Sequence, residues 1–183
     1  MDQLNSKNLF SGDLVRLAAK RHEDALIMFK WQEDSDYLRR MDSDFAAFST
    51  LEELEERDRQ SNRQNGPIEF RIRTLEDDRL VGFVALFGIE WNNQSAKLAI
   101  GIGDSKDRGK GYGTEALKLI LGYAFNELNL YRVGLDVNSY NISAIKAYKK
   151  AGFIEEGKMR DSVYRDGCRY SRIMMSILKD EWM

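Results

Sequence analysis

Two rhythms of apolar and polar residues run along this chain. Leu14-Val-Arg-Leu17 reads as a short first strand, and the stretch from about His22 to Asp34, with Leu26 and Phe29 on one side, reads as a helix. Ser49 and Thr50 ahead of Glu52 and Glu53 offer a capping box for a second, mostly charged helix reaching about Asn65, where Gly66-Pro67 stops it. Phe70, Ile72 and Thr74 then alternate with Glu69, Arg71 and Arg73, the period of a half-exposed strand. Asp77-Asp78 supplies a turn before Leu80 to Ile89, whose nearly continuous apolar character predicts a central strand. Trp91-Asn-Asn-Gln94 turns the chain into a further strand, Ala96 to Ile102.

Beyond Ile102 the period lengthens. Leu117, Ile120, Leu121, Ala124 and Leu128 follow helical spacing and bury one face against the sheet. Arg132 to Val137 alternates again, with Val133, Leu135 and Val137 on one side. A short helix from about Ile142 to Ala151 is stopped by Gly152, where a left-handed cap residue is expected. Two closing strands, about Phe153 to Tyr164 and Tyr170 to Leu178, meet at Arg165-Asp-Gly167, and Asp-Gly is a strong hairpin signal. The predicted order is β-α-α-β-β-β-α-β-α-β-β. It describes an α/β fold with a mixed, mostly antiparallel sheet flanked by helices, since tight hairpins and helical crossovers both occur.

Composition narrows the chemistry. At 183 residues the chain is expected to be a single domain over residues 1–183, with its core at about 14–180. Its 43% apolar and 32% charged content with one proline is globular, and the net charge of −2 argues against a nucleic-acid binder that relies on a broad basic face. No apolar run is long enough to cross a bilayer, and Met1-Asp-Gln-Leu-Asn-Ser lacks a cationic-then-apolar signal, so a cytoplasmic protein is expected. Cys168 is the only cysteine, which rules out an internal disulfide or a thiolate metal cluster; His22, the only histidine, lies in the charged stretch Lys20-Arg-His-Glu-Asp24. A histidine-based triad or multi-histidine metal site is therefore not expected, and catalysis falls to carboxylates, tyrosine, amides and backbone groups.

The densest chemical signal is Asp107-Arg-Gly-Lys-Gly-Tyr-Gly-Thr-Glu115, a glycine-rich basic turn that opens the helix after Ile102. Backbone N–H groups in such a turn can crowd a polyphosphate at the positive end of a helix dipole. A P-loop does not fit, because Gly109-Lys110 is followed by Gly111, and the Rossmann fingerprint does not fit a G-x-G-x-G spacing. What fits is R-x-x-G-x-G, with Arg108, Gly111 and Gly113. This resembles the pyrophosphate-binding motif of the GCN5-related N-acetyltransferases, which hold acetyl-coenzyme A. Taken alone, the turn also admits a plain strand-to-helix connection, the lesser of the two readings.

A second stretch strengthens the resemblance: Asn141-x-x-Ala144-x-x-x-Tyr148-x-x-x-Gly152-Phe153, followed by Glu155-Glu-Gly-Lys158, Arg160-Asp161 and Tyr164. These residues are similar to the branch holding the ribosomal-protein (Rim-type) and spermidine acetyltransferases. The resemblance implies acetyl-coenzyme A as cosubstrate, direct transfer to a primary amine, and pairing as a homodimer. It places the thiolate-protonating tyrosine at Tyr148, an amide contact to coenzyme A at Asn141, and thioester polarisation by backbone at Ile102 and Gly103. Arg108, Lys110 and the N–H groups of Gly109, Lys110, Gly111, Tyr112, Gly113 and Thr114 would surround the pyrophosphate. By position alone, Tyr148 is as well a core ring and Asn141 a helix cap.

For a base, Glu90 at the end of the central strand is the candidate, because a carboxylate near the sheet's opening can accept an amine proton, although its position fits a solvated strand-end residue better. Relatives of this branch often carry glutamate where this chain has Lys97, a departure that keeps a non-catalytic coenzyme A-binding or sensing module open. Asp34, Asp36, Asp42 and Asp44, interleaved with Tyr37, Phe45 and Phe48, read either as a solvated loop or as the lining of a pocket for a cationic acceptor such as a protein N-terminus or a polyamine like spermidine. Cys168, beside the hairpin and with no histidine to activate it, is not expected to carry an acetyl group.

Overall fold

The computed structural model describes residues 8–61 and 66–182. Seven strands form one open sheet in the spatial order β1-β2-β3-β4-β5-β7-β6. They are β1 Val15–Ala18, β2 Ile68–Thr74, β3 Leu80–Glu90, β4 Ser95–Ile102, β5 Arg132–Asn138, β6 Ile154–Arg165 and β7 Cys168–Leu178. Every neighbouring pair is antiparallel except β4 and β5, which run parallel. Among the described residues there are five α-helices: α1 Asp24–Trp31, α2 Ser35–Met41, α3 Leu51–Gln60, α4 Tyr112–Gly122 and α5 Ile142–Lys150. Among the described residues no helix is long and apolar enough to cross a membrane.

The strand pattern follows the sequence closely, and the helical segment before β2 does not. The helix expected over His22 to Asp34 is α1, and a further helix that the pattern did not announce, α2, follows it, started by the Asp34 side chain, which accepts the Asp36 N–H at 2.9 Å. Leu26 and Phe29, expected on the buried side, are 47% and 37% exposed; Ala25 and Trp31 are buried instead. The capping box is present at Thr50 and Glu53, whose side chains each bind the other's backbone N–H. The expected end of that helix at Asn65 lies outside the described residues.

Two layers cover the sheet. On one face α4 and α5 bury Leu117, Ile120, Leu121 and Tyr148 against Val133, Leu135, Met175 and Ile177. Each fully buried aliphatic chain there contributes about 1.5–3 kcal/mol. On the other face the alternation of β2 misleads: Glu69, Arg71 and Arg73, expected at the solvent, are all buried. Arg71 binds Asp58 at 2.6 Å and Glu69, while Arg73 binds Asp24, itself fully buried at the start of α1. A buried guanidinium is tolerable only with such carboxylate partners, so these pairs tie β2 to α1 and α3.

Candidate active site

β4 and β5 pair only as far as Lys97 and Gly134, after which the two strands part. The hydrogen bonds that remain fix which edge of β4 is left open. Gly103 N–H donates to Val81 C=O at 3.0 Å, so the odd-numbered residues of this segment bond to β3. Arg132 N–H donates to Gln94 C=O at 3.1 Å, so the even-numbered ones face β5. Ile100 and Ile102 consequently turn backbone N–H and C=O groups into the gap, where β5 no longer reaches them. A cavity of about 540 Å³ fills this gap, running from the turn before α4 past Ile102 and Val137 to Asn141 and Tyr148 on α5.

One end of the cavity is the glycine turn. Gly109 and Gly111 hold φ of +79° and +91°, a left-handed backbone that glycine adopts without strain. Gly111 caps α4 with no side chain to satisfy the helix, so the first-turn N–H groups of Tyr112, Gly113 and Thr114 have no helical partner. Gly109, Gly111, Gly113 and Thr114 line the cavity, and these open amides with the helix dipole suit a diphosphate. Glu115, the fourth residue of the helix, accepts the N–H groups of Asp13, Leu14 and Val15 at 2.9, 2.8 and 2.7 Å, which pins β1 beside the turn.

Residues 14–154, most of the chain, match the acetyltransferase (GNAT) domain. The chain belongs to the GNAT acetyltransferase family. It is 37% identical to the probable N-acetyltransferase YjcK of Bacillus subtilis over 61% of this chain and 62% of that protein. It is 34% identical to the putative ribosomal N-acetyltransferase YdaF of the same organism over 59% of this chain and 58% of that one. Each match thus spans less than two thirds of the relative's length. The fold also matches that of spermidine N-acetyltransferase from Vibrio cholerae, solved with CoA and spermine: TM-score 0.80, 24% identity, covering 91% of this chain and 96% of that one.

Within this GNAT fold the expected site residues divide into two groups. Tyr148, Asn141, Ile102, Arg108, Gly109, Gly111, Gly113 and Thr114 line the cavity. Tyr148 is 8% exposed, and burial pushes its hydroxyl pKa up to about 12. Asn141 accepts the Ala144 N–H at 3.4 Å, the helix-cap role, and also takes Arg40 Nη1 at 3.2 Å. Gly103 does not line the cavity, and its N–H is already given to Val81, so the open backbone belongs to Ile102. Lys110 and Tyr112 turn away as well. Lys110 reaches Asp107 at 3.5 Å, while the Tyr112 ring packs on the core.

Two expected roles change more sharply. Arg108 spends its guanidinium on Asp36 at 3.0 Å, Asp34 at 3.1 Å and Gly103 C=O at 3.0 Å, so it fastens the turn to α2. Glu90 stands outside the cavity: because β3 and β4 are antiparallel, the end of β3 pairs with Ser95 at the start of β4, the far end from the turn. Its carboxylate accepts from Asn93 at 2.7 Å and Ser95 at 3.4 Å.

The expected acidic, aromatic pocket is assembled only in part. Asp34 and Asp36 are taken by arginines, and the hydrogen bond from Arg40, with Arg108 nearby, holds the Asp36 carboxyl below its ordinary range. Phe45 and Phe48 are 83% and 76% exposed, and Tyr37 is buried against Trp31. Tyr37 and Asp42 of that set line both the main cavity and a smaller one of about 310 Å³ beneath residues 44–49, which Asp44 and Phe45 also line.

Asp136, not singled out in the sequence, occupies the place Glu90 does not. Val133, Leu135 and Val137 face the helices, so Asp136 points to the opposite face of the sheet, where it lines the cavity. Three carboxylates line that cavity. Asp107 is bound by Arg79 at 2.6 and 3.0 Å, Asp42 accepts the Asp44 N–H at 3.1 Å, and Asp136 makes no hydrogen bond or ion pair among the described residues. The period-two pattern that put Val133, Leu135 and Val137 inside was the available signal for it.

Proposed function

We propose that this chain is an acetyl-coenzyme A-dependent N-acetyltransferase that passes acetyl directly to a primary amine. The observation that carries this is the open edge of β4 leading into the uncapped start of α4, with Tyr148 beside the gap. An amide-bearing arm can pair with Ile100 and Ile102 as an added strand would, and the turn amides from Gly109 to Thr114 suit its diphosphate. Transfer forms a nitrogen–carbon bond to the acetyl group and breaks the carbon–sulfur bond. The Ile102 N–H stabilises charge on the carbonyl oxygen, Asp136 takes the proton the amine loses, directly or through water, and the Tyr148 hydroxyl supports the departing sulfur.

Asp136 suits its part because it is uncommitted. A carboxylate already held by arginine, as Asp36 is, would have to give up its partner before it could accept a proton. Replacing Asp136 by Asn should lower kcat/KM for an accepted amine by about 10²–10⁴-fold, the usual size of a general-base contribution. Acetyl-coenzyme A affinity should be unchanged. The function itself is tested by thiol release across spermidine, Ser- and Ala-terminated peptides and aminoglycosides. Binding of acetyl-coenzyme A with no transfer to any amine would favour the non-catalytic sensing module. A cytoplasmic setting and pairing of two copies complete the proposal; exposed Ile154, Met159 and Tyr164 on the edge strand β6 offer apolar area for a contact that sedimentation would detect.

A further inference from the structure

The face of the sheet that meets α2 carries an uneven set of charges where the acceptor would enter. Along β4, Lys97, Ala99 and Gly101 face that side, since a Cβ on Gly101 would strike Met41 of α2. Along β5 it is Gly134, Asp136 and Asn138, whose Nδ2 donates to Asp42 C=O at 3.2 Å. Along β7 it is Arg172, Met174 and Ser176, because Ile173, Met175 and Ile177 belong to the core on the other face. The register places Lys97 opposite Gly134 and Arg172 opposite Asn138. Asp136 lies between those two rows, a diagonal neighbour of each, roughly 7–8 Å away by ordinary sheet spacing.

None of the three closes on another. Lys97 and Asp136 make no hydrogen bond or ion pair among the described residues, and both line the cavity. Arg172, also lining it, has one long hydrogen bond to Ser43 Oγ at 3.5 Å and a buried Nε without a partner. Of the other charges lining the cavity, Arg40 is held by Asp36 and Asn141 and Asp42 by the Asp44 N–H, while Lys146 and Lys150 come from α5 on the opposite face of the sheet. Deeper in the smaller cavity, Asp58 and Glu69 are bound by Arg71. Two unpaired cations therefore bracket one unpaired carboxylate.

We infer that the acceptor is an anionic amine, its nitrogen beside Asp136 and a carboxylate or phosphate of the same molecule held by Arg172 and Lys97. The inference rests on the acetyl-transfer reading and narrows it. A polycation would bring its second charge against an unpaired guanidinium and an unpaired ammonium. An amine with a nearby anion satisfies all three groups at once.

Matched pairs test this: O-phosphoethanolamine against ethanolamine, glycine against glycinamide, and peptides beginning Ser-Asp against Ser-Asn, with spermidine alongside. The phosphate, carboxylate and peptide arms identify the source of the anion. The anionic member of at least one pair is expected to have the higher kcat/KM. R172Q and, independently, the exposed-site variant K97Q should raise its KM about tenfold or more while the neutral member's KM stays put, as expected for a lost charge-assisted contact. Spermidine outrunning every anionic amine, or both variants keeping the wild-type KM for the anionic member, overturns the inference alone. Transfer by the wild type to none of these amines, with acetyl-coenzyme A still bound, overturns the enzymatic reading and this one together.

Discussion

Changing Tyr148 to Phe removes a single hydroxyl from the proposed chemistry and little else. The ring stands 5.7 Å from that of Phe153 in a T-shaped contact, which Phe keeps. Burial raises the phenol's pKa to about 12, whereas a thiol, judged by cysteine, titrates near about 8.5. Complete delivery of the proton to the departing sulfur is therefore uphill by about 3.5 units, or about 5 kcal/mol. Tyr148 works instead as a hydrogen-bond donor to developing negative charge. Such a bond is worth about 1.5–3 kcal/mol, a factor of roughly 10–150 in rate. In a thiol-release assay with saturating amine, Tyr148→Phe should lower kcat by that factor and leave the KM for acetyl-coenzyme A unmoved. The hydroxyl is protonated below its raised pKa, so the wild-type pH profile should show no falling limb from this residue below about pH 11. Equal kcat for the two proteins, or an alkaline limb near pH 10 that Tyr148→Phe abolishes, would refute the reasoning.

Two further substitutions probe other parts of the design. Cys168 is an exposed free thiol beside the β6–β7 turn, so Cys168→Ala should leave turnover within about twofold; loss of activity together with a trapped acetyl-cysteine in the wild type would replace direct transfer by a covalent route. Glu115→Ala strips three backbone N–H groups of their acceptor at the start of β1 and should lower unfolding free energy by about 2–4 kcal/mol, measured by urea denaturation.

Local chemistry made the cofactor side legible and left the acceptor side obscure. The glycines before α4, the Asp166-Gly167 hairpin and the Gly152 cap each announce a backbone conformation, and all of them adopt the positive φ their residues suggest. Glu69, Arg71 and Arg73 mislead because alternation reports polarity, and polarity signals exposure only when no partner is buried alongside. Asp24 and Asp58, which neutralise Arg71 and Arg73, lie on α1 and α3, far away in the chain. Arg108 shows the same dependence on distant partners: its motif position suggests phosphate, and its guanidinium is bound by Asp34 and Asp36 on α2. Glu90 is misplaced for a topological reason, since a strand end near the cleft depends on which neighbour is antiparallel. Asp136, by contrast, was within reach of the alternation already noted along β5.

The whole arrangement turns on main-chain amides at the start of α4 gripping a diphosphate. Isothermal calorimetry of coenzyme A and acetyl-coenzyme A against the wild type and Gly111→Ala measures this directly. Gly111 holds φ of +91° with Leu14 3.3 Å from where a Cβ would lie, and a non-glycine residue in that conformation costs about 1–2 kcal/mol. Saturable binding by the wild type, weakened roughly 5–30-fold in the variant, is the predicted result. Absence of any binding heat from well-folded wild-type protein would contradict it.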